Sequence, residues 1–357
     1  MSRRVRINII MSKFSINYIT SKSGKNGPVL AGITTVNSTG SMRIPSGPTE
    51  NRGGRGRAIF SGGYEVPANT KEIQTIEIAT TGNGSDFGDL AAVKQATGSC
   101  ASATRGVVAG GAPGPSATIE YITMSSQGGA NDFGNLTQAK RSLCGSGSDT
   151  RGVFFGGNSP ARNRDIDFIT IATTGDASEF GELGVNAGLA SNLNDDGGSC
   201  SSPTRAFMFG GGNTTNVIQY ITIATKGDSQ DYGDLSQGNV RFPAGCSSST
   251  RGLSGGGQSP SNDVNIIEQF TMATLGNATN FGDLTDERTQ TASASSKTRG
   301  VWAGGYDSPT AFNIIDYVTI ASEGNATGFG DLTYSGQTNG ASKYFSGCSD
   351  VNGGIGV

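Results

Sequence analysis

The sequence predicts an all-β chain: a six-bladed β-propeller with an extended N-terminal arm. Three observations predict it. One set of motifs recurs six times at intervals of 46–54 residues. Each unit holds about four short strand-like segments and none with a useful helical period. Glycine, 57 of 357 residues, falls at fixed places in every unit and not at every third residue, which excludes collagen. Four strands per 40–50 residues is how a propeller blade reads.

Every unit opens on an arginine followed closely by a glycine pair, as in Arg57-Ala-Ile-Phe-Ser-Gly-Gly63 and Arg105-Gly-Val-Val-Ala-Gly-Gly111. Arg151, Arg205, Arg251 and Arg299 have the same setting. This segment reads as a strand closed by backbone that needs positive φ or close approach, which glycine permits. A β-branched and aromatic segment follows, such as Ile119-Glu-Tyr-Ile-Thr-Met124 or Ile314-Ile-Asp-Tyr-Val-Thr-Ile320. That is strand composition with partial alternation. Next comes a turn rich in Gly, Asn and Asp. It leads to an aromatic before Gly and Leu: Phe87, Phe133, Phe180, Tyr232, Phe281 and Phe329. A strand of small residues, as in Ala244-Gly-Cys-Ser-Ser-Ser249, then runs into the next arginine. Small side chains suit the centre, where all blades converge.

Residues 51–357 hold the repeat and residues 1–50 lie outside it. Beyond Leu332 of the sixth unit, Ser346-Gly-Cys-Ser349 repeats the small-residue strand. The stretch near 341–357 is therefore expected to supply the inner strand of the blade that begins at Arg57, closing the ring and removing a sheet edge. The arm is basic. Residues 1–57 carry ten cations, among them Arg3, Arg4, Arg6, Lys13, Lys22 and Lys25, against one acid, Glu50. That is +9 within a total of −3, so the remainder is −12. The arm's few strand-like pieces are too small for a core, so it is expected to fold against a partner.

Composition excludes several function classes. The chain has no His, so a Ser-His-Asp triad, a Cys-His pair and His-ligated zinc, copper or haem iron are ruled out. No apolar run approaches the roughly 20 residues that span a bilayer. The five cysteines are odd in number and lack CxxC spacing, against a disulfide framework or metal cluster. Cys100, Cys200 and Cys246 each lie five residues before a repeat arginine and read as small buried fillers. No metal or other cofactor is expected, and no nucleic-acid partner.

The repeat arginines allow two readings: an anion-binding belt, or ion pairs to the acids Asp89, Glu182, Asp234, Asp283 and Asp331 of the aromatic-Gly-acid-Leu motif. A motif present in every blade favours the ion pairs. The glycine pairs lack a following helix and a Gly-Lys-Ser/Thr, so they form no phosphate loop. Asn277-Ala-Thr and Asn325-Ala-Thr fit a glycosylation pattern but recur at one turn position. The loops after the glycine pairs vary while the scaffold does not, and topology puts them on one face; variation on a constant frame is how binding faces are built. Tyr64, Asn158, Arg162, Arg164, Asn213, Gln258, Tyr306 and Asp307 are its candidate residues. The longer linker around 184–198 is a second candidate, with neutral drift the alternative for both.

The order of glycine pair, strand aromatic and aromatic before Leu resembles the kelch repeat. The wording Thr-Arg-Gly-Val, Tyr-Ile-Thr-Ile-Ala-Thr and Gly-Asn-Ala-Thr-x-Phe-Gly-Asp-Leu is similar to kelch-like virion structural proteins of marine tailed phages, cyanophages especially. The leader Gly27-Pro-Val-Leu-Ala-Gly-Ile-Thr-Thr-Val36 resembles leaders of phage structural and fibre proteins. The resemblance implies a multi-copy, non-enzymatic virion component. Its arm would dock on capsid, neck or tail proteins, and its propeller face would contact protein or host-surface glycan, with no membrane partner. The alternatives are a free carbohydrate- or protein-binding propeller and, further off, a two-carboxylate glycan hydrolase.

Overall fold

A computed structural model describes residues 56–65, 68–159, 161–184, 195–212, 215–238, 240–260, 262–334, 342–352 and 354–355. The arm residues Arg3, Arg4, Arg6, Lys13, Lys22 and Lys25 lie outside the described residues, as does Asn213. The described residues contain six four-stranded antiparallel sheets, two short ribbons and no helix. The fold is a six-bladed β-propeller.

In blade 2 the strands run Gly98–Ala101, Arg105–Ala109, Ser116–Thr123 and Asn131–Lys140, from the centre outwards. Blades 3 to 6 repeat this order, their second strands being Arg151–Phe155, Arg205–Phe209, Arg251–Gly255 and Arg299–Ala303. Blade 1 is built from both ends of the ring. Ser346–Ser349 pairs with Arg57–Ser61, which pairs with Glu72–Glu77 and that with Ser85–Asp89. The turn from inner to second strand is bridged there without a covalent link. The Arg57 N–H donates to Asp350 Oδ1 at 2.9 Å, where the Arg105 N–H of blade 2 donates to Ser102 Oγ at 3.1 Å. Each inner strand touches the inner strands of both neighbours, so the six close a ring.

Three hydrogen-bonded belts join neighbouring blades. At the rim, each outer strand bulges at its aromatic, which is buried. The glycine after it meets the next blade's turn. A Cβ on Gly88, Gly134, Gly181, Gly282 or Gly330 would lie 2.3–2.4 Å from a carbonyl oxygen of that turn. Only glycine fits. The turn's own glycine donates to the aromatic's carbonyl, as Gly128 does to Phe87 at 2.9 Å. The next side chain accepts from the outer strand, as Asp176 does from the Asn135 N–H at 2.8 Å and Asn325 from the Asp283 N–H at 3.1 Å. Asn277 accepts from the Asp234 N–H at 3.0 Å. Both Asn-Ala-Thr sequences thus have a structural use.

The arginine belt corrects the expected ion pairs. Asp89 pairs with Lys71 and Glu182 lies 3.9 Å from Arg164, each within its own blade. Among the described residues only Arg57 of the repeat arginines has a carboxylate in reach, Glu77 at 3.5 Å. Each arginine instead crosses to the next blade and donates Nη1 to a carbonyl just beyond the end of its third strand. Arg57 reaches Met124 at 2.7 Å, Arg105 Ile171 at 2.9 Å and Arg151 Ile223 at 2.6 Å. Arg205 reaches Met272, Arg251 Ile320, and Arg299 returns to Ile78 of blade 1 at 3.0 Å. These carbonyls lie past the strand ladder and need a donor. Four guanidinium groups also lie 4.5–4.7 Å from an aromatic ring centroid of their own third strand: Tyr121, Phe168, Tyr220 and Tyr317.

The third belt is buried. One position of each third strand carries a polar side chain: Gln74, Glu120, Asp167, Gln219, Glu268 and Asp316, all at most 4 % exposed. Each accepts from the residue after the motif leucine of the preceding blade. The Ala91 N–H donates to Glu120 at 2.8 Å, the Gly184 N–H to Gln219 at 2.6 Å and the Thr333 N–H to Gln74 at 2.9 Å. Three of these acids also hold a buried cation: Glu120 with Lys94 at 2.6 Å, Asp167 with Lys140 at 3.0 Å and Asp316 with Arg288 at 2.6 Å.

Removing one partner of such a pair strands a charge in the core. Lys140→Met is expected to cost about 3–5 kcal/mol in urea unfolding, and adding Asp167→Leu to restore most of it. Equal stability of the single variant and the parent would contradict this.

Candidate binding face

The inner strands of all blades start on one face and end on the other, so the elements divide between two faces. The repeat arginines and the bridge between Asp350 and Arg57 belong to one. The glycine pairs, the loops after them and the linkers between blades belong to the other. At each pair the backbone turns through φ of +55° to +70° and then +95° to +113°, which glycine adopts without strain.

On that second face the loops clasp the linkers. Ala112 bridges to Gln95, Asn158 to Arg141, Gln258 to Arg241, Tyr306 to Thr289 and Tyr64 to Lys343. The residue after each linker bridge is left-handed although not glycine: Ala96, Ser142, Phe242, Gln290 and Tyr344, with Asp196 at the same place, have φ of +54° to +58°. Such a conformation costs roughly 1–2 kcal/mol per residue. It is held because neighbouring backbones bond head to tail around the channel mouth, through five hydrogen bonds among the described residues. The Ser142 N–H donates to Ala96 at 2.8 Å, Asp196 to Ser142 at 3.0 Å and Phe242 to Asp196 at 2.8 Å. Tyr344 donates to Gln290 and Ala96 to Tyr344, at 3.2 and 2.6 Å.

Their side chains gather at the mouth. Phe242 of blade 5 and Tyr344 of blade 1 meet edge to face at 5.7 Å, although blade 6 separates their strands. Arg241 lies 4.5 Å from the Phe242 ring centroid and pairs with Asp196 at 2.7 Å. Burial and the neighbouring Asp195 push the Asp196 carboxyl above its usual range. Asp195 pairs with Arg162 at 2.7 Å. A cavity of about 330 Å³ opens among these groups.

The candidate residues therefore divide. Arg162 and Asn158 line this cavity. Tyr64 and Tyr306 flank Lys343, whose Nζ lies 5.7 and 3.5 Å from their ring centroids. Gln258 donates to Asp263 at 3.1 Å, and with Asp307 both line a second cavity of about 420 Å³. Arg164 is elsewhere, its Nε donating to the Leu183 carbonyl at 2.7 Å. Within the long linker, residues 185–194 lie outside the described residues, but its end delivers Asp195 and Asp196 to the mouth. The sequence reading singled out this linker without naming its two acids, and it missed Arg241, Phe242 and Tyr344. Adjacent acids closing the one long linker were the available signal.

Below the mouth the channel is lined by small residues that alternate from blade to blade: Gly347, Ser99, Gly145, Ser199, Gly245 and Ser293. Each serine hydroxyl donates to the preceding glycine's carbonyl, at 2.9, 2.9 and 2.7 Å. Four of the cysteines fill space behind this lining, and the half-buried Cys144 lies in it. Where the inner strand carries Cys348, Cys100, Cys200 or Cys246, the next blade's arginine is followed by glycine; where it carries Ser146 or Ala294, by alanine. A Cβ on Gly152 would lie 2.4 Å from Cys100 Sγ, and one on Gly300 the same distance from Cys246 Sγ. All five thiols are free. Among the described residues no three Cys, Asp or Glu side chains form a metal-binding group. No protein-family model matches this chain, and no curated protein matches it significantly.

Burial pushes the Cys144 and Cys348 thiols up to about 12, and the other three up as well. A thiol raised in the folded state contributes stability that is complete below its unfolded value of about 8.5 and is lost as pH rises through the folded value. The urea midpoint is therefore expected to fall between pH 8 and pH 11, and to fall less steeply in Cys246→Ala. Rapid alkylation of Cys100, Cys200, Cys246 or Cys348 in the native protein at pH 8 would contradict their burial.

Proposed function

We propose that this chain is a non-enzymatic structural and adhesive component of a tailed-phage virion, with kelch-like blades. Its basic arm docks on an acidic surface of capsid, neck or tail, and the propeller presents its loop face outward to protein or host-surface glycan. The protein is then multi-copy and located in the particle. The observation that carries this reading is the division of the two faces. The chain joins the ring at Gly56–Arg57, on the arginine face, and the varied loops with the mouth cavity occupy the opposite one. A body tethered from one side offers the other.

Two further features support it. The charge asymmetry, +9 in residues 1–57 against −12 in the rest, suits an arm that leaves its own acidic body for another acidic surface. The acids at the mouth are tied to arginines, Asp195 to Arg162 and Asp196 to Arg241. A pair so engaged suits recognition better than the acid–base exchange a hydrolase needs. A free carbohydrate-binding propeller shares the loop face and differs in what the arm does.

All six sheets are complete from Arg57 onward. Deletion of residues 1–50 is therefore expected to leave thermal unfolding of the propeller unchanged while reducing its amount in purified particles at least tenfold by immunoblot. Undiminished incorporation of the truncated protein would sink the docking role.

A further inference from the structure

We infer that the cavity at the channel mouth is a binding site for a carboxylate-bearing sugar, with Arg141 as the residue that takes the carboxylate. This deepens the reading of the loop face as the contact face and rests on it. The cavity measures about 330 Å³, at the small end of the roughly 300–1,000 Å³ that ligand sites occupy. It accommodates one or two sugar rings, the end of a glycan and not its length.

The polar groups of the cavity are unevenly satisfied, and the remainder describes the ligand. Its charged groups are Arg141, Arg162, Arg241, Asp195 and Asp196. Two arginines are consumed by the two acids, at 2.7 Å each. Arg141 is exposed and pairs with no acid among the described residues. The site therefore carries one surplus positive charge, on a planar fork that suits a carboxylate bidentately. Besides Asp195 Oδ1, which has its ion pair with Arg162, two atoms are buried without a hydrogen-bond partner among the described residues: Arg241 Nε, a donor, and Gln95 Oε1, an acceptor. A buried polar group left unmet is destabilising, so a ligand offering both an acceptor and a donor there recovers part of that cost.

Hydroxyl groups offer both. The two aspartates keep further lone pairs for hydroxyl donors. Phe242 and Tyr344 supply apolar ring surface against the C–H face of a pyranose. Frame rigidity completes the site. Arg141, Asp195 and Arg241 sit at equivalent linker positions, and the first and last are fixed by bridges to Asn158 and Gln258. A peptide carboxylate would satisfy Arg141 but leaves the buried donor and acceptor to chance.

The test uses the full chain, titrated with methyl β-glucuronide, methyl β-glucoside and N-acetylglutamate amide, and read by calorimetry or saturation-transfer NMR. Saturable glucuronide binding with a dissociation constant on the order of 1 mM is expected. It should weaken at least tenfold for the glucoside and for Arg141→Ala, whose exposed side chain leaves folding intact, and weaken less for Arg141→Lys. The assignment is overturned by absence of saturable binding, by equal binding of glucuronide and glucoside, or by an unchanged Arg141→Ala. N-acetylglutamate amide binding as tightly as the glucuronide overturns it in favour of an acidic peptide. Incorporation into particles is read on a different sample. A chain that enters particles but binds no glucuronide loses this site and keeps its virion role; one that binds but stays out of particles does the reverse.

Discussion

Adjacent blades approach so closely at the rim that a single methyl group cannot be placed between them. The glycine after each buried aromatic faces a carbonyl or turn backbone of the next blade, and a Cβ there would stand 2.3–2.6 Å from it. That proximity lets the turn's N–H groups and Asx side chains reach the neighbouring outer strand. It also brings the end of each third strand within reach of an arginine from the blade before. Every blade buries its faces against two others, so the propeller has no edge other than its outermost strands, and these are covered by turns.

The seams are polar as well as apolar. Six hydrophobic clusters sit between blades, yet each seam also carries a buried side chain that accepts a hydrogen bond across it, from a backbone N–H at five seams and from the Thr137 hydroxyl at Asp167. The charge is matched by a cation at three of the four acids in these positions, and Glu268 is met by three hydrogen bonds from Ser236 and Gln237. Lys94, Lys140 and Arg288 are present where the acceptor is Glu120, Asp167 or Asp316, and the uncharged Gln74 and Gln219 serve other seams. A buried acid with both a cation and a further hydrogen-bond donor is met on both sides, and that is the condition under which such groups are tolerated.

Much of this was legible in the sequence because repetition exposes it. Blade number, the strand order within a blade and the location of the loops on one face follow from six aligned copies. The arginine's partner was not legible. Pairing a repeated cation with a repeated acid is natural in one dimension, but the competing acceptor is a main-chain carbonyl, which every residue carries and no residue type marks. The buried belt was hidden for a related reason: Glu120 or Asp167 within a strand reads as an outward-facing position. Its signal was Lys94, Lys140 and Arg288, each four residues past a motif leucine. At the mouth, Ala96 or Phe242 in a left-handed conformation has no glycine to announce it, because the ring of backbone hydrogen bonds, and not the residue's own preference, holds it there.

The bridge between Asp350 and Arg57 has a topological meaning. In blade 1 a hydrogen bond stands where the other five blades have a continuous Ser-x-Thr turn. The ring is therefore indifferent to where its covalent chain is interrupted. Joining Asp350 to Arg57 through a short peptide and cutting any of the five equivalent turns would produce a circular permutant with the same seams. Each of those cuts lies on the arginine face, so whichever blade carried the free ends, an appended segment would depart from the same side of the disc.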